Sequence, residues 1–187
     1  MEKLKEKYKK EVIPAMMKKF GYKNPMAVPR IKKIMLNSSF GKEVASKTAG
    51  EREKIQNLIM QDLSLIAGQR TKLVKSKKSI AGFKLREGLE IAATVTLRKS
   101  RMWDFLERLI FLSLPRSRDF KGLDPKIIDK GGNLNIGFRE HISFPEIFTE
   151  KEKTIFGLQI TVVTNAKNKE EGLEMYKLMG FPMREAK

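Results

Sequence analysis

From Leu63 to Arg86 the chain runs 24 residues without an acidic side chain, and Asp62 and Glu87 bracket that interval. Within it stand Arg70, Lys72, Lys75, Lys77, Lys78, Lys84 and Arg86. Cations at that density cannot turn inward, because an unpaired buried charge costs more than packing returns. Any fold of this chain must therefore hold the segment at its surface. Gly82 with Ser76 and Ser79 predicts a loop whose tip is small and flexible. Ordinary surfaces intersperse both signs, so a one-signed excursion points to an anionic partner. The rest of the chain agrees: it has 39 Lys and Arg against 22 Asp and Glu, a formal charge of +17. Residues 1–139 hold 32 of the cations and 14 of the acids, so the first three quarters carry the whole excess. Such a field repels itself and is compensated by a polyanion, whose condensed counterions are released on contact.

Other classes fall away on composition. With 187 residues the chain suffices for one domain, expected over 1–187 with a basic helical element at 1–23. It has no cysteine, hence no disulfide, no zinc–thiolate site and no thiol nucleophile. The longest apolar-rich stretch, Phe105 to Leu114, is broken by Glu107 and Arg108 and is shorter than the ~20 residues of a membrane span. The early lysines alternate with Glu2, Glu6 and Glu11, unlike an acid-poor transit peptide. The chain is expected to be cytoplasmic, unprocessed and without membrane attachment.

Periodicity supplies the elements. Leu4, Tyr8, Val12, Met16 and Phe20 recur every four residues, the stripe of an amphipathic helix that Pro14 should break or kink. Its lysines suit either a docking helix with a solvated face or a basic arm laid on phosphate. A strand is expected over 30–37, a loop over 38–50, and a helix through Ile55, Leu58, Ile59, Leu63 and Ile66 that stops at Gly68. A short strand at 70–75 and an alternating one at 89–98 follow. Ser100 is expected to cap the next helix, with Met102, Phe105, Leu106, Leu109 and Ile110 inward and Pro115 as its end; Trp103 and Phe111 are assigned to the core. Strands at 133–139 and 157–164 precede a helix capped by Asn168, with Glu171 three residues on. This order predicts an α+β fold: an antiparallel or mixed sheet with helices packed on one face and the other face open.

Catalytic constellations are thin. His141 is the one histidine and reads as a polar turn residue; no nucleophile elbow, phosphate-cradling loop or metal-ligand spacing accompanies it. No enzyme activity, metal or cofactor is expected. Thr94, Thr96 and Arg98 lie on the outward side of their strand, where hydroxyls can meet phosphate, base edges or the ribose 2′-hydroxyl. Polar outward faces are also ordinary in sheets, so alone they decide little. No aromatic pattern of the RNA-recognition motif is present, which favours structured RNA over stacked single strands. A binder of acidic membranes or proteins through the first helix is the alternative.

Several motifs carry a resemblance. SKKSIAGFKLREG at 76–88, VTLRKSRMWDFLERLI at 95–110, LPRSRDFKGL at 114–123, GGNLNIGFREHISFPEI at 131–147 and GLQITVVTNAKNKEEG at 157–172 resemble bacterial large-subunit ribosomal protein five, as does YKKEVIPAMMKKFGYKNPMAVPRI near the start. The resemblance implies a structural constituent of the large ribosomal subunit. Its implied partners are 5S rRNA and adjacent 23S rRNA in the central protuberance, with neighbouring large-subunit proteins. Asn37, Gln69 and Thr96 match family contact positions, and Arg70, Thr94 and Arg98 are added to that rRNA-binding set. The loop with Lys75, Lys77, Lys78, Ser79 and Lys84 is implied to approach P-site tRNA. Arg116, Arg118 and Asp119 are implied near a bridge to small-subunit head protein thirteen, or else stiffen their own loop. Ser38, Ser39 and Phe40 replace the family's small, glycine-rich turn; extra residues fall between Gly41 and Ile55; Thr71, Val74, Ala92 and His141 also depart from its pattern.

Overall fold

The computed structural model describes residues 4–45, 47–147 and 155–184; Lys3 of the basic face and Ser46 of the expected loop lie outside them. Five strands form one antiparallel sheet in the order β2-β3-β1-β5-β4. They are β1 (Ile31–Ser39), β2 (Lys72–Lys75), β3 (Glu90–Leu97), β4 (Leu134–Phe138) and β5 (Leu158–Thr164). Burial alternates along them. Ala93, Val95 and Leu97 are buried while Ala92, Thr94 and Thr96 stay half-exposed, and the same alternation runs through β4 and β5. One face therefore carries the core and the other remains open, as a period of two residues requires. The α+β expectation holds, and the sheet is antiparallel rather than mixed.

The chain gathers into two compact units. The first comprises residues 1–34, 98–136 and 161–187. In it α1 (Leu4–Lys7), a π turn (Tyr8–Val12) and α2 (Ile13–Phe20) follow without a gap. α1 packs on α5 (Lys99–Arg108), and α2 on α7 (Lys169–Met179). Leu4, Tyr8, Val12 and Met16 are buried and Phe20 is half-buried, so the first four positions of the stripe are core and Lys5, Lys9, Lys18 and Lys19 are exposed beside it. The second unit comprises residues 35–97 and 137–160, where α3 (Gly41–Val44) and α4 (Ala49–Ala67) pack on β3.

Several boundaries differ from the periodicity. Residues 38–50 are not one loop: β1 runs on to Ser39, α3 follows, and α4 begins at Ala49. Thr48 starts α4, its hydroxyl donating to Glu51 Oε2 at 2.8 Å and its backbone N–H to the same oxygen at 3.0 Å. Pro115 does not end α5. A π turn (Leu109–Ser113) carries the helix into α6 (Leu114–Arg116), and Ser117 leaves it. Neither Ser100 nor Asn168 caps its helix with a side chain; α5 opens from Arg98, and Glu171 accepts instead from the Lys167 N–H at 3.0 Å. Phe111 is half exposed rather than core, because it lies off the helix face marked by Phe105, Leu106, Leu109 and Ile110.

Candidate nucleic-acid interface

In the second unit the polar side of β3 is built from its neighbours. β2 pairs antiparallel to β3 with Lys72 opposite Thr94, and directly opposed residues point to the same side of a sheet. Lys72 therefore stands beside Thr94 on the open face. The Thr94 hydroxyl donates to the Leu36 carbonyl at 3.0 Å, fixing it next to Asn37 on β1. Asn37 and Thr96 are half-exposed on this side, and among the described residues neither the Asn37 amide nor the Thr96 hydroxyl is engaged by another protein group. Gln69 donates from Nε2 to the Thr96 carbonyl at 3.4 Å, and Arg70 beside it is exposed. Ser64 and Thr71 share a hydroxyl contact of 2.8 Å that ties the end of α4 to the entry of β2. Asn37, Gln69, Arg70, Thr94 and Thr96 thus fall in one unit. Lys72 belongs with them and escapes the set drawn from the sequence; the hairpin register that reveals it needs the pairing partner.

The basic excursion folds as a hydrogen-bonded hairpin extension. Ile80 and Leu85 exchange backbone hydrogen bonds at 3.0 and 3.1 Å, and the Ser76 N–H donates to the Leu89 carbonyl at 2.7 Å. Ser79 is structural: its hydroxyl accepts the Glu87 N–H at 3.0 Å. A bulge between Val74 and Lys75 shifts the register, and Lys75 Nζ comes to 3.9 Å from Glu90 Oε1. Lys75 is thereby partly neutralised, whereas Lys77, Lys78 and Lys84 are exposed. Phe83 projects from the tip 70% exposed, a feature the charge pattern concealed.

The remaining candidates belong to the first unit. Arg98 is exposed at the start of α5, and Arg116, Arg118 and Asp119 lie where the chain leaves α6. The loop that follows is held to residues 182–184 by two main-chain bonds, Leu123 N–H to the Pro182 carbonyl and Arg184 N–H to the Leu123 carbonyl, and by the Arg184 side chain, whose Nε donates to the Lys121 carbonyl at 2.7 Å. His141, in the second unit, does stand in a turn, the single 3-10 turn His141–Ser143, but not at the surface. It is fully buried, stacked on Phe156 at 3.9 Å between ring centroids, with Nε2 4.0 Å from Asp62 Oδ2. Among the described residues no cluster of metal-ligating side chains occurs, and no helix is long and apolar enough to cross a membrane.

Two family models match in succession: one described as ribosomal protein L5 over residues 24–86, the other as the C-terminus of the same ribosomal protein family over residues 90–183. Relatives named large ribosomal subunit protein uL5 are similar along nearly the whole chain. That of Dictyoglomus thermophilum is 49% identical over 184 residues, covering 98% of this chain and 99% of its own. That of Geotalea daltonii is 48% identical over 184 residues, with the same coverage. That of Halothermothrix orenii is 46% identical over 182 residues, 97% of this chain and 98% of the relative. The sheet with its basic hairpin is thus matched in both halves, and the chain belongs to the ribosomal protein L5 family.

Proposed function

We propose that this protein, a non-enzymatic structural constituent of the large ribosomal subunit in the cytoplasm, binds 5S rRNA through the open sheet face of its second unit. The supporting observation is the juxtaposition on that face of Lys72 and Thr94 with Asn37 and Thr96, a cation and a tethered hydroxyl beside two polar side chains that no other described group of the protein engages. Lys72 and Arg70 meet phosphate; the Asn37 amide and the Thr96 hydroxyl are free for base edges and ribose hydroxyls, the groups that tell RNA from DNA. Adjacent 23S rRNA is the partner of the remaining basic surface, Arg98 included, with the whole chain serving as one RNA-binding domain. Lys77, Lys78 and Lys84 on the projecting hairpin approach P-site tRNA. Arg116, Arg118 and Asp119 contact small-subunit head protein thirteen.

Chemical footprinting of 5S rRNA tests the central claim. The protein should protect a defined structured region, and the double variant Asn37→Ala with Thr96→Ala should lose that protection while melting as the parent does. Unchanged protection by the double variant would remove the sheet face from the interface.

A further inference from the structure

A cleft of about 570 Å³ lies wholly within the first unit, between the π turn of the first helix, the segment 25–32 and the start of α5. That volume falls in the range of small-ligand sites. Its floor is apolar, with Val28, Ile31 and Met102 buried beneath it. Tyr8 and Trp103 form an aromatic wall, their ring centroids 5.7 Å apart and their planes tilted by 44°. The Tyr8 hydroxyl is anchored by donating to the Pro29 carbonyl at 2.8 Å, which fixes that ring. Met26 stands at the mouth, 75% exposed.

The rim carries Lys5, Lys9, Arg30, Lys32, Arg98 and Lys99. No acidic side chain lines the cleft, and among the described residues no carboxylate pairs with any of these six. The Tyr8 phenol registers this field: burial pushes its pKa up while the Arg30 guanidinium pulls it down. An apolar floor with a tryptophan wall under a purely cationic rim suits one kind of occupant, a flat ring carried on a polyanionic strand. We propose that this cleft receives an unstacked nucleobase of an RNA loop, the base lying against Trp103 and its flanking phosphates held by the rim. The inference rests on the rRNA-binding reading above but lies away from the sheet face, on the basic surface that includes Arg98, and it adds a stacking contact that the sheet face does not offer. Base–aromatic stacking tolerates any sequence, so the cleft selects for an extruded base rather than a particular one.

Trp103 is the single tryptophan, so its fluorescence reports on the cleft directly. The full chain is titrated with pentaadenylate and with an abasic RNA pentamer of equal charge. Pentaadenylate should change Trp103 emission and bind about ten-fold more tightly than the abasic strand, the increment of one stacked base. Met26→Glu, at an exposed position that should leave folding intact, should abolish that preference while 5S rRNA binding stays within a few-fold of the parent. Trp103→Leu should do the same. Equal binding of the two pentamers with 5S rRNA binding intact would overturn the cleft alone; failure to bind 5S rRNA as well would overturn the reading beneath it. A response of Trp103 to phosphatidylserine vesicles but not to RNA would assign the cleft to a membrane surface and refute the proposal.

Discussion

Gly172 leaves no room for a methyl group. A Cβ there would lie 2.7 Å from the Gly132 Cα, backbone against backbone, where no flexible side chain can move aside. Gly132 itself has φ +74° and its carbonyl accepts the buried Tyr176 hydroxyl at 3.0 Å, so the contact is locked from the other side too. Gly172→Ala should therefore destabilise the fold by about 1–3 kcal/mol, the cost of forced overpacking. Gly50, near the start of α4, meets nothing within 4 Å, and Gly50→Ala should stabilise by roughly 0.5–1 kcal/mol. Urea denaturation of the two variants checks the contrast; effects of the same sign would refute it. Asp129 gives a pH dependence. Burial opposes its ionisation, but hydrogen bonds from the Asn133 side chain, the Asn133 N–H and the Gly131 backbone outweigh that and hold its pKa below the ordinary 3.8. A carboxylate depressed on folding contributes stability that is present above the ordinary value and lost as pH falls through the lowered one. Acid titration of stability should show this loss below about pH 4 in the parent and not in Asp129→Asn; superimposable curves would remove Asp129 from the account.

At the scale of elements, two prolines sit in continuous helices because each follows a π turn. Ile13, preceding Pro14, donates its N–H to the Tyr8 carbonyl, and Leu114, preceding Pro115, donates to the Leu109 carbonyl, each five residues back. The wider turn makes space for the proline ring and absorbs its missing donor. It also realigns the helix. Residues spaced by four drift about 40° per step in an α-helix, so Leu4 and Phe20 would stand about 160° apart; one π turn takes back about 100° of that. This is why Leu4, Tyr8, Val12 and Met16 are all buried. Pro14→Ala should consequently gain well under the ~3 kcal/mol that a proline costs inside a regular α-helix, measured by thermal unfolding. A gain near the full amount would mean that the π turn does not relieve the strain.

For the whole molecule, charge governs association. The affinity for 5S rRNA should fall by about a thousand-fold or more between 50 and 200 mM monovalent salt if six or more phosphates are contacted. A flat titration by filter binding would refute the counterion argument. Lys77→Glu with Lys78→Glu should spare 5S rRNA binding and impair tRNA-dependent ribosome function, since both lysines stand on the projecting hairpin, away from Thr94 and Thr96 in the chain, and among the described residues their ammonium groups hold nothing in place. Loss of 5S rRNA binding in that variant would put the hairpin inside the rRNA interface. Removing residues 1–20 is no clean test of a membrane role, because the buried stripe of the first helix would go with them; charge-removing Lys5→Gln and Lys9→Gln are the usable variants.

Charge asymmetry, strand alternation and the acid-free interval are local properties of the chain, so the α+β class, one open face and a one-signed basic surface are legible in the sequence, and the polyanionic partner is proposed from that surface. Side-chain parity along a strand needs only a period of two, and unpaired cations must face water wherever the chain goes. What the sequence withheld depends on partners far apart in the chain: Lys72 opposite Thr94, Lys75 drawn to Glu90, His141 buried against Phe156, and the cleft walled by Tyr8 and Trp103. Register, bulges and concavities arise when distant segments meet, and only the tertiary structure decides which segments those are.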